Sequence, residues 1–377
     1  MPDTSPLFTA FRLGRLALRN RFVMPAMQRG MCDDGSPKPE LAAYYARRVE
    51  GGVPLIIGES AAIDHPSATV QPNAAWLTAG TAGGWARCVE AVQAAGGTML
   101  LQLWHEGAVR NDGKALSPSG RVHPGKVNGR AMTRAEMEAI GEGFVRSARI
   151  AQQIGAAGIE VHCAHGYLLD QFLWHGSNVR EDGYGGPDIA HRVRFPSEIV
   201  RAIRAECGAD FLISLRFSQW KEVDYGARIA GDPGELQKMA TILGEAGVDV
   251  LHCSTRRFWE AEWAGDNRNL AGWAKSLGDL PTITVGSVGL DTDVMTTFTE
   301  ATDPGSRVPE AIADLEARLA DGEFDLVAVG RALIGDPDFV KKLENRDLQA
   351  IRTFARADLG TLEWDTSIVE EARGTPV

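Results

Sequence analysis

Eight short apolar segments that alternate with eight helical patterns predict a (β/α)8 TIM barrel for this chain of 377 residues. Each segment is bounded by turn signals, as is typical of buried strands of about 4–8 residues. Many of the 42 glycines stand where these segments end, as expected where strands pass into loops. The predicted strands are RFVMPAM (21–27), VPLIIGES (53–60), TMLLQLWH (98–105), AGIEVHCA (157–164), FLISLRFS (211–218), VDVLHCST (248–255), TITVGSVG (282–289) and DLVAVGRA (325–332).

Helix-start signals support this division of the chain. Thr133 precedes Glu136 by three residues, which is the spacing of a capping box, and Asp336 stands before a proline suited to a first helical position. The predicted helices follow the strands in order: 39–50, 83–96, 133–158, 191–208, 233–247, 270–278, 308–322 and 336–347.

A doubly wound open sheet is the alternative fold, but it needs fewer strands and usually an early G-x-G-x-x-G, which this sequence lacks. No linker rich in Pro, Ser or Gly divides the chain, so we expect one domain over residues 1–377. The loops 106–132 and 255–269 are longer than packing requires. Long loops at the carboxyl ends of barrel strands are typical of active-site lids.

Composition narrows the function classes. Lys and Arg number 39 against 50 Asp and Glu, and the net charge of −11 disfavours a nucleic-acid partner. The five cysteines are scattered without a C-x-x-C pair, so neither a disulfide framework nor a cysteine-ligated metal is expected. No apolar run approaches about 18 residues and the N-terminus lacks a signal-peptide pattern, which favours a cytoplasmic protein without a membrane segment.

Polar residues interrupt three predicted strands at positions where a core should be apolar. Strand alternation groups Gln102 with Trp104, His162 with Glu160, and Arg216 with Ser214. If these faces point inward, an amide, an imidazole and a guanidinium reach one rim, which indicates a polar, planar ligand. The alternative is that the opposite faces point inward.

Glycine-rich turns end the seventh and eighth predicted strands. Gly286 and Ser287 follow the seventh strand, and Gly330 and Arg331 follow the eighth. Loops at these two barrel positions commonly bind phosphate, because glycine lets backbone N–H groups approach the oxygens. The alternative is simple strand-to-loop turning.

The segment around the fourth strand, EVHCAHGYLLDQFLWHGSNVREDGYGG, is the most informative. Two imidazoles, His162 and His165, with the phenol of Tyr167 can hold and protonate an oxygenated substrate. The histidine pair also has a metal-ligand spacing, but no third ligand follows, so no metal is expected. The downstream residues are expected to stabilise their own loop; they are Asn178, Arg180, Asp182, Tyr184, Gly185 and Gly186.

Four motifs together resemble the old yellow enzyme family of FMN-dependent NAD(P)H oxidoreductases. They are LRNRFVMPAM, LLQLWHEG, the block EVHCAHGYLLDQFL…SNVREDGYGG, and VGSVG with VGRALIGDPDFVKKL, and they span about residues 7 to 345. The resemblance implies that Gln102 bonds the flavin pyrimidine edge and that Arg216 lies near flavin N1 and O2. It also implies an FMN phosphate site at Gly286, Ser287, Gly330 and Arg331.

The same resemblance assigns the substrate side of the pocket. His162 and His165 would hold the substrate oxygen, Tyr167 would donate a proton, and Trp104 would contribute to the pocket wall. Two departures concern the flavin environment: the first strand ends P-A-M-Q, which places Gln28 at the position that tunes the flavin O4 environment, with Ala26 and Met27 as further cofactor-binding residues, and Ser60 replaces a usual glycine or alanine. The cysteine run of the iron–sulfur branch is absent up to Val377, so no cluster is expected.

These observations predict an enzyme that reduces an activated C=C of α,β-unsaturated carbonyl or nitro compounds with NADH or NADPH, by ping-pong hydride transfer through flavin N5. The first alternative is a flavin dehydrogenase or oxidase that works in the desaturating direction. A second, from another class, is a metal-dependent hydrolase barrel; its candidate ligands are His105, His162, His165 and His252. The expected partner is a small-molecule substrate, and a homo-oligomer is compatible with the sequence.

Overall fold

The computed structural model describes residues 5–362 and contains a closed barrel of eight parallel strands. Adjacent strands in the sequence pair in order, and the first strand closes the barrel by pairing with both the eighth and the second. This confirms the predicted (β/α)8 fold. The strands are β1 (Phe22–Met24), β2 (Leu55–Ala62), β3 (Thr98–Trp104), β4 (Gly158–His165), β5 (Leu212–Lys221), β6 (Val250–Ser254), β7 (Thr282–Val285) and β8 (Leu326–Ala328).

Eight helices follow the strands around the barrel, as the sequence predicts. They are α1 (Pro39–Glu50), α2 (Ala82–Ala94), α3 (Arg134–Gln153), α4 (Arg194–Cys207), α5 (Pro233–Ala246), α6 (Leu270–Leu277), α7 (Val308–Ala320) and α8 (Phe339–Glu344). The capping box of Thr133 and Glu136 is present at α3. Helix α8 begins later than predicted, at Phe339, because Asp336 instead accepts the backbone amide of Asp338. No helix within residues 5–362 has the length and apolar character needed to cross a membrane.

The barrel interior changes from apolar to polar along its axis. An antiparallel hairpin of Phe11–Leu13 and Leu16–Leu18 packs into the layer formed by the early residues of the strands. That layer is fully buried and contains Leu55, Leu100, Val250, Ile283 and Leu326 among others. The polar residues Gln102, His162 and Arg216 lie further towards the carboxyl ends of the strands, where barrel enzymes place their active sites.

Strand β5 is longer than predicted, whereas β1, β6, β7 and β8 are each shorter by three or more residues. Strand β1 ends at Met24, because Pro25 has no amide hydrogen to continue the ladder. Strand β5 continues to Lys221, three residues beyond the predicted end at Ser218. That extension carries additional side chains over the rim of the barrel.

The predicted lid loops have different structures. Residues 106–132 contain the short strands Leu116–Ser117, Arg121–His123, Lys126–Val127 and Arg130–Ala131, whereas residues 255–269 contain no helix or strand. Four short helices supplement the outer ring: Leu168–Leu173, Ile189–Arg192, Val294–Thr299 and Arg331–Gly335. The predicted domain of 1–377 includes residues 1–4 and 363–377, which lie outside the described residues.

Candidate active site

A cavity of about 320 Å³ opens at the carboxyl ends of the strands. Its lining combines residues from all the predicted motifs: Ala26, Met27, Gln28, Ser60, Gln102, His162, His165, Tyr167, Arg216, Gly286, Ser287, Gly330 and Arg331. Trp104 is not part of this lining. Its ring lies behind the cavity wall and packs edge-on against Tyr167, with 5.4 Å between the ring centroids.

Several lining residues were missed by the sequence reasoning. Trp220 and Glu222 extend the alternation of Ser214 and Arg216 along β5 and the residue after it, so continuing the period-two pattern past residue 218 would have identified them. Phe298 belongs to the short helix Val294–Thr299, which carried no recognised signal. Other such residues are Pro25, Ser254, Thr255, Arg256, Val285, Val288, Leu290, Val294, Ile334 and Leu359.

A buried carboxylate, Glu160 on β4, connects side chains from three other strands. One of its oxygens, Oε1, accepts a hydrogen bond from Gln102 Nε2 at 2.7 Å. The other, Oε2, lies 2.8 Å from the Ser214 hydroxyl and 2.7 Å from His252 Nδ1. Burial alone would raise the pKa of Glu160, but His252, Arg216 and the hydrogen bonds lower it to about 2. The carboxylate therefore stays ionised and accepts from all its neighbours.

The amide of Gln102 is oriented by this network. Because its nitrogen donates to Glu160, its oxygen is the acceptor that faces Ser60, whose hydroxyl lies 2.5 Å away. One N–H and one lone pair of the amide remain for a ligand. Such a donor–acceptor pair matches the edge of a pyrimidine ring.

Arg216 places its guanidinium in the same cavity as the Gln102 amide. It donates to the carbonyl oxygen of Ala26 at 3.1 Å and to the Ser254 hydroxyl at 3.3 Å, whereas its buried Nε has no partner among the described residues. Burial lowers its pKa, and the charge of Glu160 opposes that shift. An unsatisfied cationic donor favours a ligand atom that carries negative charge.

His162, His165 and Tyr167 form a cluster of rings at the other side of the cavity. The centroid of the His162 ring lies 5.3 Å from that of His165 and 5.1 Å from that of Tyr167. His162 Nδ1 accepts the amide of Ala164, so the neutral ring carries its proton on Nε2. His165 Nε2 lies 2.8 Å from the hydroxyl of Ser254. The predicted trio thus meets at one wall.

Burial keeps all three rings uncharged. It lowers the pKa of His162 to about 3, with Arg216 adding to the effect, and it holds the pKa of His165 well below its ordinary value. For Tyr167, burial first and the nearby Glu222 second raise the pKa of the phenol. The cluster therefore offers neutral hydrogen-bond donors at neutral pH.

A buried ion pair holds the turn that carries Tyr167. Lys221 Nζ lies 2.8 Å from Asp170 Oδ1, and both side chains are fully buried. Asp170 Oδ2 accepts the amide of Gly166 at 2.6 Å, directly after His165, whose φ of 64° lies in the left-handed region. A non-glycine residue needs surrounding contacts to persist in that conformation. The pair supplies one of them.

The predicted phosphate end of the cavity offers backbone donors. The amides of Ser287, Gly330 and Arg331 have no acceptor within residues 5–362. Arg331 lies beside them, but its guanidinium already donates to the carbonyl oxygen of Thr292 at 2.6 Å and to the Thr297 hydroxyl at 2.5 Å. Burial lowers its pKa to about 10, against the opposing effect of nearby aspartates. It remains a cation at neutral pH.

Gln28 lies at an exposed position of the cavity wall. Its Nε2 donates to Gln71 Oε1 at 2.9 Å, and Gln71 in turn donates to the buried carboxylate of Glu106 at 2.8 Å. The second N–H of Gln28 has no protein acceptor among the described residues. Its predicted contact with flavin O4 stays a prediction.

The four histidines proposed as metal ligands do not form one ligand group within residues 5–362, although the rings of His162 and His165 are neighbours. His105 Nε2 lies 2.8 Å from the Ser67 hydroxyl, whereas His252 is bonded to Glu160. Within residues 5–362 no group of three or more His, Cys, Asp or Glu side chains is arranged to hold a metal ion. The geometry does not support the hydrolase alternative.

The loop after β4 is stabilised by its own side chains, as the sequence predicts. Asn178 donates to the carbonyl oxygens of Phe172 and Tyr184, and Arg180 pairs with Asp182 at 2.5 Å. Among the predicted lids, residues 255–269 contribute Thr255 and Arg256 to the cavity, and residues 106–132 contribute none of its lining. Their role as lids stays a prediction.

The donor set fits FMN. Gln102 and the unpartnered Nε of Arg216 suit the hydrogen-bonding edge of an isoalloxazine ring, and the free amides near Arg331 suit a phosphate. These two groups lie on the same cavity. Gln102, Arg216, Ser287, Gly330 and Arg331 are therefore the residues that would hold the cofactor.

Comparisons with known proteins support FMN as the cofactor. The profile of the NADH:flavin oxidoreductase / NADH oxidase family matches residues 6–304. An NADH oxidase from Thermoanaerobacter brockii is 34% identical over 375 residues, which cover 94% of this chain and 53% of that protein. This chain thus spans about half the length of that relative.

Two further relatives match over most of both chains. The 12-oxophytodienoate reductase 1 of Oryza sativa subsp. japonica is 29% identical over 90% of this chain and 86% of its own length. A solved structure of morphinone reductase in complex with tetrahydroNAD has a TM-score of 0.77 and 27% identity, and covers 94% of this chain and 93% of that one. The chain belongs to the NADH:flavin oxidoreductase / NADH oxidase family, the FMN-dependent oxidoreductases related to old yellow enzyme.

Proposed function

We propose that this protein uses NADH or NADPH to reduce an activated C=C bond conjugated to a carbonyl or nitro group. The observation that carries the proposal is the meeting of His162, His165 and Tyr167 on the wall of the cavity that also contains Gln102 and Arg216. When bound, FMN would supply the hydride chemistry that links the nicotinamide to the substrate. The names of two relatives, morphinone reductase and 12-oxophytodienoate reductase, denote reductases of oxo compounds.

The histidine pair binds the substrate oxygen. His162 carries its proton on Nε2, which has no protein acceptor within the described residues, and His165 lies edge-on beside it. Donors placed around a carbonyl or nitro oxygen stabilise the negative charge that develops there as the C=C is reduced. Because burial keeps both rings neutral, they polarise this oxygen without transferring a proton to it.

Tyr167 supplies the proton that completes the reduction at the α-carbon. Its raised pKa keeps the hydroxyl protonated throughout the neutral range. Trp104 packs edge-on against its ring and limits its movement. Solvent then restores the proton to the phenol, since the cavity is open.

The test separates the two half-reactions by rapid mixing. Tyr167→Phe removes only the hydroxyl, so reduction of the bound flavin by NADH or NADPH should stay near the parent rate. Reoxidation by cyclohexenone should slow by about 10²- to 10⁴-fold, the usual contribution of positioned acid catalysis. A nitroalkene should be affected less, because its reduced anion is stable enough to leave before it is protonated.

Trp104→Phe is the matched control, since it changes the neighbouring ring but keeps the phenol. It should slow reoxidation far less than Tyr167→Phe does. Equal slowing of both half-reactions in Tyr167→Phe would mean that the residue only packs, and the proton would then come from another source. Failure of the parent to reduce any member of a panel of enones, nitroalkenes and maleimides would refute the proposed function.

A further inference from the structure

Glu222 is a carboxylate in the cavity wall that the reaction proposed above does not use. It follows the last residue of β5, and its amide donates to the carbonyl oxygen of His165 at 3.3 Å. It lines the cavity together with Trp220 and Tyr167. Its charge also contributes to the raised pKa of Tyr167.

The carboxylate of Glu222 has no partner. Within residues 5–362, no group donates a hydrogen bond to it and no cation pairs with it. Glu106, the other carboxylate that affects Tyr167, is by contrast bonded to the Gln71 amide and to the backbone of Val70. The side chain of Glu222 is exposed at the cavity opening, and the partial loss of solvent there raises its pKa to about 7 with no opposing positive charge. A positively charged ligand would offset this cost.

The arginines of the same cavity are already engaged. Arg256 pairs with Asp293 at 2.6 Å, and Arg331 donates to carbonyl and hydroxyl oxygens of residues 292–297. Arg216 donates to Ala26 and Ser254 at the cofactor end. Among the described residues, none of these cations pairs with Glu222.

Aromatic residues line the same cavity as Glu222. Trp220 packs on His165 with 4.7 Å between the ring centroids, and Tyr167 completes the same wall. An organic cation interacts favourably with the faces of Trp and Tyr rings, more strongly where water is excluded. A carboxylate beside such rings provides the combination that binds amines.

We propose that Glu222, with Trp220 and Tyr167, selects substrates that carry an organic cation, such as a protonated amine, on the part of the molecule away from the reacting oxygen. This proposal rests on the proposed function, because it takes the oxygen of the ligand to be held by His162 and His165. It adds the chemical class of the substrate, which that function leaves open.

Three para-substituted phenols test the proposal, because they share the oxygen and differ in the charge of the arm. They are tyramine (cationic), 4-ethylphenol (neutral) and 3-(4-hydroxyphenyl)propanoate (anionic). Dissociation constants would be measured on the FMN-loaded protein from the change in flavin absorbance at neutral pH. In the parent we expect tyramine to bind about tenfold more tightly than 4-ethylphenol, a modest ion-pair and cation–π effect, and the propanoate to bind most weakly.

Substitution at position 222 should change this order without changing the binding of the neutral phenol. In Glu222→Gln the advantage of tyramine should disappear, and in Glu222→Lys the propanoate should become the tightest ligand. Glu90→Gln is the matched control, since Glu90 is exposed on α2 outside the barrel and the variant has the same net charge as Glu222→Gln. It should behave as the parent.

The outcomes separate this proposal from the one on which it rests. If all three phenols bind the parent equally, or if Glu222→Gln weakens all three equally, Glu222 does not select for charge and the proposal is wrong. If none of the three phenols perturbs the flavin, the oxygen site of His162 and His165 is wrong, and the proposal for Glu222 fails with it.

Discussion

The two sides of the active-site cavity are built differently. On the side proposed to hold FMN, the polar side chains lie within the barrel strands, and Glu160 bonds to Gln102, Ser214 and His252 on β3, β5 and β6. On the side proposed to bind substrate, Tyr167 and Glu222 lie just beyond the strands, with few polar contacts to the other described residues. The first side is fixed by several mutual hydrogen bonds, and the second is left open to its ligands.

The difference shows how a barrel can hold some side chains in fixed positions while the loops beyond the strands vary. The parallel register fixes the position of each strand residue along the barrel axis, so the hydrogen bonds between their side chains reinforce one another. The turn after β4 has no such register and depends on the pair of Lys221 and Asp170. Residues in such loops can change without disturbing the barrel. The following predictions test this contrast, from the largest expected effect to the smallest.

Breaking the ion pair should have the largest effect on stability. Lys221→Met leaves the fully buried Asp170 without its cation, which should lower the free energy of unfolding by about 3–5 kcal/mol. Urea denaturation would measure the loss. The control is Lys238→Met, which breaks the exposed pair of Lys238 and Asp188 and should cost less than about 1 kcal/mol. Equal, small losses in the two variants would mean that the buried pair does not hold the turn.

Neutralising Glu160 should change how the free energy of unfolding depends on pH in the acid range. The pKa of Glu160 is lowered to about 2 in the folded protein, below its ordinary value of 4.5, so its contribution is present above pH 4.5 and is lost as the pH falls towards 2. The linked free energy is roughly 3 kcal/mol. Glu160→Gln should lose it at neutral pH and show a flatter decline below pH 4.5 in denaturation curves. An equal decline of the free energy of unfolding below pH 4.5 in parent and variant would contradict this.

Removing Arg331 should weaken the cofactor end. If its guanidinium also contacts the FMN phosphate, Arg331→Ala loses a charge-assisted contact of about 1.5–3 kcal/mol, which is roughly a 10- to 150-fold increase in the dissociation constant. Flavin release on dilution, followed by fluorescence, would measure it. Arg331→Lys keeps the charge but not the planar guanidinium group. Its FMN dissociation constant should therefore lie between those of the parent and Arg331→Ala. Unchanged flavin retention in Arg331→Ala would rule out the phosphate contact.

The smallest effect is expected at Gln28, which is exposed at the cavity wall. A neutral donor to flavin O4 stabilises the reduced cofactor by about 0.5–1.5 kcal/mol, so Gln28→Leu should lower the two-electron midpoint potential by about 10–30 mV. Potentiometric titration would measure it. Gln71→Leu, which removes only the protein partner of Gln28, serves as the control. A midpoint that does not move in Gln28→Leu would show that its amide points elsewhere.

Much of the fold was predictable because its signals are local. Buried parallel strands are short apolar runs, and the alternation with helical patterns over the whole chain admits few topologies other than a barrel. The polar residues Gln102, His162 and Arg216 were recognisable because they interrupt such runs. Their inward orientation, left open by the sequence, is confirmed by their place in the cavity lining.

The rest of the site could not be predicted, because it depends on contacts between distant residues. Trp104 satisfies the same alternation as Gln102, yet it packs behind Tyr167, since the strand ends there. Trp220 and Glu222 reach the cavity only because β5 continues past Ser218. Arg331 bonds to residues 292–297, whose short helix had no recognised signal.

The sequence by itself determined the barrel, the family motifs and the residue types at the carboxyl ends of the strands, since these follow from hydrophobic pattern and local turns. Only the tertiary structure decided which polar groups are satisfied by the protein and which remain for a ligand. That Glu160 is saturated and Glu222 is unpartnered depends on what lies opposite each carboxylate. Burial and pairing are properties of the whole fold, and identical side chains acquire different chemistry from them.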